Sequence, residues 1–271
     1  GKPVLNLGIG SPDLAPPPEV IQELVMVEAE PVYYPLKAEN NWEPDWTFFN
    51  GLDFSKIKII WVNYPHMPTG TRGSQATLER FVALAKQHSI LLVNDNPYSF
   101  ILNDKPRSIL SIAGAEELAL ELNSLSKTFN MAGWRIGWVC GNPELIKPVL
   151  QIKSNMDSGM FKPLQLAAAK ALSLGSEWHN ALNQQYEHRK SLAIQILEKL
   201  GCTWLPHQSG LFVWAEVPQD DVDELVDWLL YEKDLFITPG HIFGERGRKY
   251  LRISLCVNEE MYREALKRLE A

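Results

Sequence analysis

The sequence predicts an α/β fold, a doubly wound and mostly parallel sheet joined to a smaller α+β domain. Two apolar, β-branched runs, residues 57–62 and 90–93, are typical of strands that are buried on both faces. Residues 74–89 between them have the spacing of an amphipathic helix, so the three segments form a βαβ unit. Polar loops follow both strands, at the edge where open α/β sheets place their ligands.

The helix of this unit has clear signals at its start and along its buried face. Ser74 precedes the helical pattern and is the predicted N-cap. The positions predicted to be buried share one face of the helix, and they are Leu78, Phe81, Val82 and Ala85. Residues 118–122 predict a third strand that ends at the same edge, and residues 136–140 predict a further strand.

The second half of the chain alternates helices and strands, which indicates a second, smaller α+β domain. A helical pattern over residues 163–200 is interrupted at Gly175 and stops at Gly201. The elements predicted beyond it are a strand at 210–217, a helix near 221–230, a strand at 250–256 and a last helix.

Length, composition and charge exclude several classes of protein. The 271 residues, 45% hydrophobic and 22% charged, can bury a full core and have an ordinary globular composition. We find neither a membrane-spanning apolar run nor a signal peptide, so we expect a cytoplasmic protein without a membrane partner. The net charge of −7 argues against nucleic-acid binding. Cys140, Cys202 and Cys256 lack metal-ligand spacing, so we expect buried thiols and no metal site.

Residues 124–137, SLSKTFNMAGWRIG, carry the most specific chemical signal. They place Lys127 beside the hydroxyls of Ser124 and Ser126 and shortly before Arg135. Hydroxyls, an ammonium and a guanidinium in one turn suit a phosphorylated ligand, and the amine suits an aldehyde cofactor. Because a lone lysine is usually a solvated surface charge, this interpretation depends on the surrounding residues.

The segment resembles the lysine signature of fold-type I aminotransferases that use pyridoxal 5′-phosphate (PLP), within class I/II. Four further stretches match this family in the same order, namely residues 8–13 (GIGSPD), 63–70 (NYPHMPTG), 94–98 (NDNPY) and 250–255 (YLRISL). The strings KTFNMAGWRIG and SNMDSGMFKPLQ are most similar to the branch of alanine and LL-diaminopimelate aminotransferases. The resemblance implies the large domain of PLP-dependent transferases.

The resemblance assigns three residues to catalysis. Lys127 forms a Schiff base with PLP and then acts as general acid and base. Asp95 pairs with the pyridinium nitrogen, and Tyr98 donates to the phenolic oxygen of the cofactor. From the residues alone, Asp95 is equally well a turn aspartate beside Pro97, and Tyr98 a packed aromatic.

Other residues match family positions that bind the cofactor phosphate or the substrate. Ser124 and Arg135 match residues that hold the phosphate, and Ser126 is a weaker candidate for the same task. Arg252 matches the arginine that clamps the substrate α-carboxylate through a two-pronged hydrogen bond. An outward, solvated arginine is the alternative. Gly10 matches a glycine that lets the backbone approach the same carboxylate.

Two features depart from the family pattern. Met67 stands where the family has an asparagine that donates to the phenolic oxygen. Near residues 24–26 the match also jumps from the first helix of the family to a much later strand, residues 30–36. A family segment on the order of 100 residues is therefore missing there, and we expect the full protein to contain it.

We therefore expect an aminotransferase that moves an amino group between an α-amino acid and a 2-oxo acid through a PLP Schiff base on Lys127. One alternative is a PLP-dependent C–S lyase or eliminase. The other is a catalytically silent dimeric binding protein, if the missing segment is a true deletion. The resemblance implies a homodimer, with residues 157–161 near the partner's site. It also implies a large PLP-binding domain at 25–187 and a small domain at 1–24 plus 188–271.

Overall fold

The computed structural model describes residues 4–7 and 29–270. The strands are β1 (Leu5–Asn6), β2 (Leu36–Lys37), β3 (Glu43–Pro44), β4 (Ile59–Asn63), β5 (Leu91–Asp95), β6 (Ala119–Ser124), β7 (Gly137–Gly141), β8 (Thr203–Trp204), β9 (Phe212–Glu216), β10 (Leu235–Phe236), β11 (Thr238–Pro239) and β12 (Tyr250–Ser254). The α-helices are α1 (Trp46–Phe49), α2 (Gln75–His88), α3 (Leu125–Thr128), α4 (Pro143–Met156), α5 (Lys162–Leu172), α6 (Ser176–Lys199), α7 (Val222–Lys233) and α8 (Glu259–Glu270).

The chain divides into two compact units. Trp46–His66 and Thr71–Gln184 form one unit, named here the Lys127 unit. Met67–Gly70 and the described parts of Gly1–Asp45 and Gln185–Ala271 form the other, named the Arg252 unit. Each candidate site residue can therefore be assigned to one unit and described within it.

The Lys127 unit is built on a four-stranded sheet in the order β4-β5-β6-β7. β4, β5 and β6 run parallel, and β7 runs antiparallel to β6. The strands predicted at 57–62, 90–93, 118–122 and 136–140 are all present, with small shifts of their ends. The predicted α/β class is confirmed, and the parallel strands bring their carboxyl ends to one edge.

Helix α2 connects β4 to β5 and has the cap and the buried stripe that the sequence predicts. The Ser74 hydroxyl accepts a hydrogen bond from the backbone N–H of Thr77 at 3.0 Å. The predicted stripe of four apolar residues is buried throughout. At roughly 25 cal/mol per Å² of buried apolar surface, this stripe is the main force that stabilises α2 in the unit.

Helix α4 is absent from the sequence-based prediction, although its start carries a readable signal. Asn142 caps it by accepting a hydrogen bond from the N–H of Glu144 at 2.9 Å, and Pro143 occupies the first turn. None of its residues is buried. Large apolar side chains such as Ile152 and Met156 are instead 63% and 77% exposed. A surface of this kind marks an interaction site more often than free surface.

The Arg252 unit combines helices with an antiparallel sheet in the order β11-β12-β9-β8. A short parallel pair, β1 and β10, accompanies this sheet. Tyr262 of α8 is fully buried, and its hydroxyl donates to the backbone oxygen of Ser254 at 2.6 Å. Helix α7 follows its N-cap Asp221, whose carboxylate accepts from the N–H of Asp223. The predicted α+β character of this part is confirmed.

The strand predicted at residues 30–36 is wrong. Only Leu36–Lys37 pairs, antiparallel with β3. Pro31 and Pro35 explain the difference, because proline has no backbone N–H to donate to a neighbouring strand.

The expectation that all cysteines are buried is also wrong. Cys202 is buried, but Cys140 and Cys256 are exposed. Cys140 lies on β7, at the edge of its sheet, where alternate side chains point away from the core.

The predicted domain division, 25–187 against 1–24 plus 188–271, stays a prediction, because its first junction lies outside the described residues. Within residues 4–7 and 29–270, no helix is both long and apolar enough to cross a membrane.

Gly70 offers a test of packing in the Arg252 unit. Its φ is +71°, and a Cβ there would lie 2.7 Å from the Cβ of Gln208 and 3.0 Å from the carbonyl oxygen of Ser209. We expect Gly70→Ala to lower the free energy of unfolding by roughly 2–4 kcal/mol, measured by urea denaturation. Gly175→Ala is the control, because a Cβ at Gly175 meets open space. Equal losses in both variants would contradict this packing argument.

Candidate active site

Polar side chains line one face of the sheet at its carboxyl edge. Asn63 pairs with Asp95 across β4 and β5, and Asp95 pairs with Leu122 across β5 and β6. Paired residues of a parallel sheet point to the same face, and the period of two along a strand puts Ser124 there as well. Nδ2 of Asn63 also donates to the backbone oxygen of Asp95 at 2.7 Å. These side chains stand where the fold class predicts a ligand.

Asp95 is a partly buried carboxylate at this edge. Burial raises its pKa above the ordinary aspartate value, since desolvation disfavours the charged form. A cation placed against this carboxylate would reverse the shift. The site therefore fits a ligand with a positively charged nitrogen, such as a protonated pyridine ring.

The loop that carries Lys127 is closed at its base. The N–H of Leu125 donates to the carbonyl oxygen of Ile136 at 3.1 Å. The Ser124 hydroxyl caps α3 by accepting from the N–H of Ser126 at 2.9 Å. Lys127 therefore lies on α3 within one helical turn of the sheet edge.

Arg135 lies at the far end of the same loop. Its backbone is left-handed, with φ of 54°, and its exposed guanidinium donates from Nη1 to the carbonyl oxygen of Ala132 at 3.0 Å. Because the loop closes beside Ser124, Arg135 and both serines belong to one end of the sheet. Hydroxyls and an accessible guanidinium at one place can bind a phosphate dianion.

The turn that contains Tyr98 packs against the lysine helix. The N–H of Asn96 donates to the carbonyl oxygen of Leu122 at 2.9 Å. The Thr128 hydroxyl donates to the carbonyl oxygen of Pro97 at 3.5 Å, a long hydrogen bond. Tyr98 follows and is only 4% exposed. Hydrogen bonds thus hold together the two segments that carry the predicted catalytic residues.

Behind this edge lies a buried carboxylate that the sequence analysis missed. Glu121, on β6, is 5% exposed. One of its oxygens accepts from Nδ2 of Asn94 at 3.2 Å and from the N–H of Ile109 at 2.8 Å. The other accepts from Nδ2 of Asn123 at 3.1 Å. Hydrogen bonds to both oxygens offset the desolvation of this charge.

The Glu121 network fixes both strands that carry site residues. Asn94 directly precedes Asp95, and Asn123 directly precedes Ser124. The Asn94 side chain also accepts from the N–H of Tyr64, in the loop after β4, at 3.3 Å. The sequence does contain a signal for this network, since a charged residue inside the apolar string LALELN is buried only with partners.

His66 is a neutral residue of the loop after β4. Its backbone N–H donates to the carbonyl oxygen of Thr71 at 2.7 Å. Burial lowers its pKa to about 4, because a charged imidazole would be desolvated. At neutral pH, His66 therefore adds no positive charge to this loop.

Arg252, on β12, belongs to the Arg252 unit and is 3% exposed. Its Cζ lies 3.9 Å from the ring centroid of Phe212 and 4.4 Å from that of Phe243. Its Nη1 donates to Sδ of Met67 at 3.2 Å. The alternative of an outward, solvated arginine is wrong. A guanidinium desolvated against aromatic rings is where a carboxylate gains most from pairing.

Six of the other predicted site residues lie in one unit, and one lies outside the described residues. Lys127, Asp95, Tyr98, Ser124, Ser126 and Arg135 all belong to the Lys127 unit. Gly10 lies outside the described residues. The roles of all these residues stay predictions. Among the described residues, no group of three or more histidine, cysteine, aspartate and glutamate side chains could hold a metal ion.

Comparison with known proteins gives concordant matches. The family model described as aminotransferase class I and II matches residues 18–269. LL-diaminopimelate aminotransferase 2 of Trichormus variabilis is 39% identical over 249 residues, which cover 91% of this chain and 64% of the relative. The LL-diaminopimelate aminotransferase of Gloeobacter violaceus is 40% identical over 241 residues, covering 88% of this chain and 62% of the relative.

A solved structure is also similar to this chain. Apo-BacF from Bacillus subtilis is 32% identical, with a TM-score of 0.85 over 100% of this chain and 69% of that one. The chain thus spans a little under two thirds of the length of the curated relatives described above.

We expect Glu121→Gln to destabilise the Lys127 unit by roughly 2–3 kcal/mol, because the new amide turns a donor toward groups that themselves donate. Thermal unfolding followed by circular dichroism measures the loss. Glu117→Gln, at an exposed position two residues before β6 begins, is the control. If the two variants unfold at the same temperature, the network does not fix the edge of the sheet.

Proposed function

This chain belongs to the class I and II aminotransferases, and on that premise we propose that it moves an amino group between an α-amino acid and a 2-oxo acid with PLP as cofactor. One observation carries the proposal: a lysine, a desolvated carboxylate, serine hydroxyls and a guanidinium share one edge of the sheet of the Lys127 unit. The relatives named LL-diaminopimelate aminotransferase support the reaction type.

Three residues of the Lys127 unit have catalytic roles in this proposal. PLP, when bound, supplies the electron sink for breaking the Cα–H bond of the amino acid. Lys127 holds the cofactor through Nζ and later moves the proton at the substrate Cα. The Asp95 carboxylate stabilises a positive ring nitrogen, since its desolvation favours a cationic neighbour. Tyr98 donates to the phenolic oxygen.

Other residues bind the ends of cofactor and substrate. Ser124 and Arg135 hold the phosphate, with Ser126 beside them. Arg252 takes the substrate α-carboxylate, which replaces solvation that its guanidinium has lost on burial. Gly10 leaves room for that carboxylate.

In this proposal the whole protein contains a family segment in addition to the residues of this chain. This chain matches 64% of the length of its Trichormus relative. We infer that a family segment belongs near residues 24–26, within a large domain that begins at residue 25 and extends to residue 187. The small domain then comprises residues 1–24 and 188–271.

Trapping the cofactor tests this function directly. The purified protein is incubated with PLP, reduced with borohydride and mapped by peptide mass spectrometry, and the adduct is expected on Lys127. Alanine and LL-diaminopimelate are then supplied as amino donors, with 2-oxoglutarate as acceptor. Amino transfer to the acceptor supports the proposal. A cysteine-type substrate is tested separately without an acceptor. Release of ammonia and pyruvate from it would identify an eliminase, and a chain without an adduct would be the silent binding protein.

Asp95→Asn should separate cofactor binding from stability. Removing a charged hydrogen-bond partner worth roughly 1.5–3 kcal/mol should weaken PLP binding about 10- to 100-fold, measured by fluorescence titration. At pH 7 the same variant should unfold at a higher temperature without PLP, because ionised Asp95 has a raised folded pKa and costs stability there. This gain should shrink as the pH falls toward the unfolded aspartate pKa of about 3.9.

Asp53→Asn is the control for this prediction. Asp53 is an exposed turn aspartate whose pKa is lowered by hydrogen bonds from the Ser55 hydroxyl and backbone. Asp53→Asn should leave PLP affinity unchanged, and it should not raise the unfolding temperature as Asp95→Asn does. If Asp95→Asn leaves PLP affinity intact, Asp95 does not face the cofactor.

We propose further that the chain acts as a cytoplasmic homodimer. Exposed apolar side chains cluster in and after α4, with Leu150 at 62%, Ile152 at 63%, Met156 at 77% and Phe161 at 70% exposure. Covering such a surface with its own copy would bury large apolar area, which is the usual source of dimer stability. In this proposal residues 157–161 lie near the partner's site, as the family resemblance implies.

Ile152→Asp should weaken the dimer, because the interface would then bury an unpaired charge. We expect the dimer dissociation constant to rise at least about tenfold, measured by sedimentation velocity. Tyr231→Asp, at a 75% exposed position of α7, is the control and should leave the dimer unchanged. A monomeric parent chain, or equal dissociation of both variants, would overturn this assembly.

A further inference from the structure

Two aromatic rings and a thioether lie against the Arg252 guanidinium. The rings of Phe212 and Phe243 lie against its Cζ, at 3.9 and 4.4 Å from their centroids. The thioether of Met67 accepts from Nη1 at 3.2 Å. All four residues belong to the Arg252 unit, so this arrangement is a property of one compact body.

The position of Met67 is fixed independently of its contact with Arg252. The short segment Met67–Gly70 is part of the Arg252 unit. The carbonyl oxygen of Gly70 accepts from the N–H of Ser209 at 2.9 Å, and Gly70 packs so closely on Gln208 that a Cβ would not fit. The backbone of the segment Met67–Gly70 thus holds the Met67 thioether at the Arg252 guanidinium.

A thioether is a weak hydrogen-bond acceptor, whereas a carboxylate is a strong one. When a carboxylate approaches Arg252, Nη1 can donate to a carboxylate oxygen instead of the Met67 sulfur. Little binding energy is lost when the weak hydrogen bond to sulfur breaks. A strong acceptor at position 67 would instead compete with the incoming anion for the same N–H. The affinity for the anion therefore depends on the acceptor strength of residue 67.

We propose that Met67 is a positioning residue for carboxylate binding, with its thioether as the weak internal acceptor that the substrate carboxylate displaces from Arg252. This inference rests on the proposed function, in which Arg252 takes the α-carboxylate. The ligand class is a carboxylate, because the group that it meets is a guanidinium held against two aromatic rings.

Two substitutions of opposite chemistry test the proposal, with 2-oxobutyrate as the probe and isothermal titration calorimetry of the purified chain as the measurement. Met67→Leu keeps the apolar volume but removes the acceptor, so the dissociation constant should fall about threefold. Met67→Gln introduces a strong amide acceptor, so the dissociation constant should rise about fivefold. A purely structural role of Met67 would weaken binding in both variants.

Arg252→Lys separates failure of this inference from failure of the proposed function. It removes Nη1, and probe binding should drop at least about tenfold. If the parent chain binds no probe, or binds it equally with Lys at position 252, Arg252 is not the carboxylate site and its role in the proposed function fails. If binding needs Arg252 but both Met67 variants shift it in one direction or less than twofold, only the role of Met67 is overturned.

Discussion

The parallel register of β4, β5 and β6 is the constraint on which the site of the Lys127 unit depends, and the hydrogen bonds of Glu121 hold it in place. A parallel sheet brings the carboxyl ends of its strands to one edge, and polar residues at those ends must then share a confined, partly desolvated space. Glu121 accepts hydrogen bonds on both oxygens, and two of its three partners directly precede Asp95 and Ser124. The Glu121 carboxylate thus has a structural role. The other carboxylate, Asp95, has its pKa raised by burial.

Each unit holds a charged group that has lost solvent on burial. The edge of the Lys127 unit presents a desolvated carboxylate, and the same end of the sheet carries the Ser124 hydroxyl and the Arg135 guanidinium. This combination suits a ligand with a cationic ring and a phosphate. The Arg252 unit presents a desolvated guanidinium between aromatic rings, which suits a carboxylate. Each buried charge costs free energy by itself, and a ligand of opposite charge offsets that cost.

The sequence predicts those features that depend on local pattern and misses those that depend on contacts across the fold. The βαβ unit, the Ser74 cap and the last strand of the sheet follow from periodicity and capping chemistry. The strand that the family resemblance implies at 30–36 fails because its prolines have no backbone N–H to donate to a neighbouring strand. The bonds of Glu121 with Ile109 and Asn94, and the contact of Arg252 with Met67, join residues 12 to 185 positions apart. No periodicity encodes such pairs, although a lone glutamate in an apolar strand does indicate that its side chain has hydrogen-bond partners.

The choice between a turn aspartate and a site carboxylate, open for Asp95 on sequence alone, has a physical criterion in the same unit. Asp53 is a true turn aspartate, and hydrogen bonds from the Ser55 hydroxyl and backbone lower its pKa. Burial shifts the pKa of Asp95 in the opposite direction. Ionised Asp95 therefore reduces stability at neutral pH, while His66, with its pKa of about 4, reduces it only as the pH falls below the ordinary histidine range. A carboxylate that costs stability at working pH is better explained by a cationic ligand than by the turn, which favours the proposed role of Asp95.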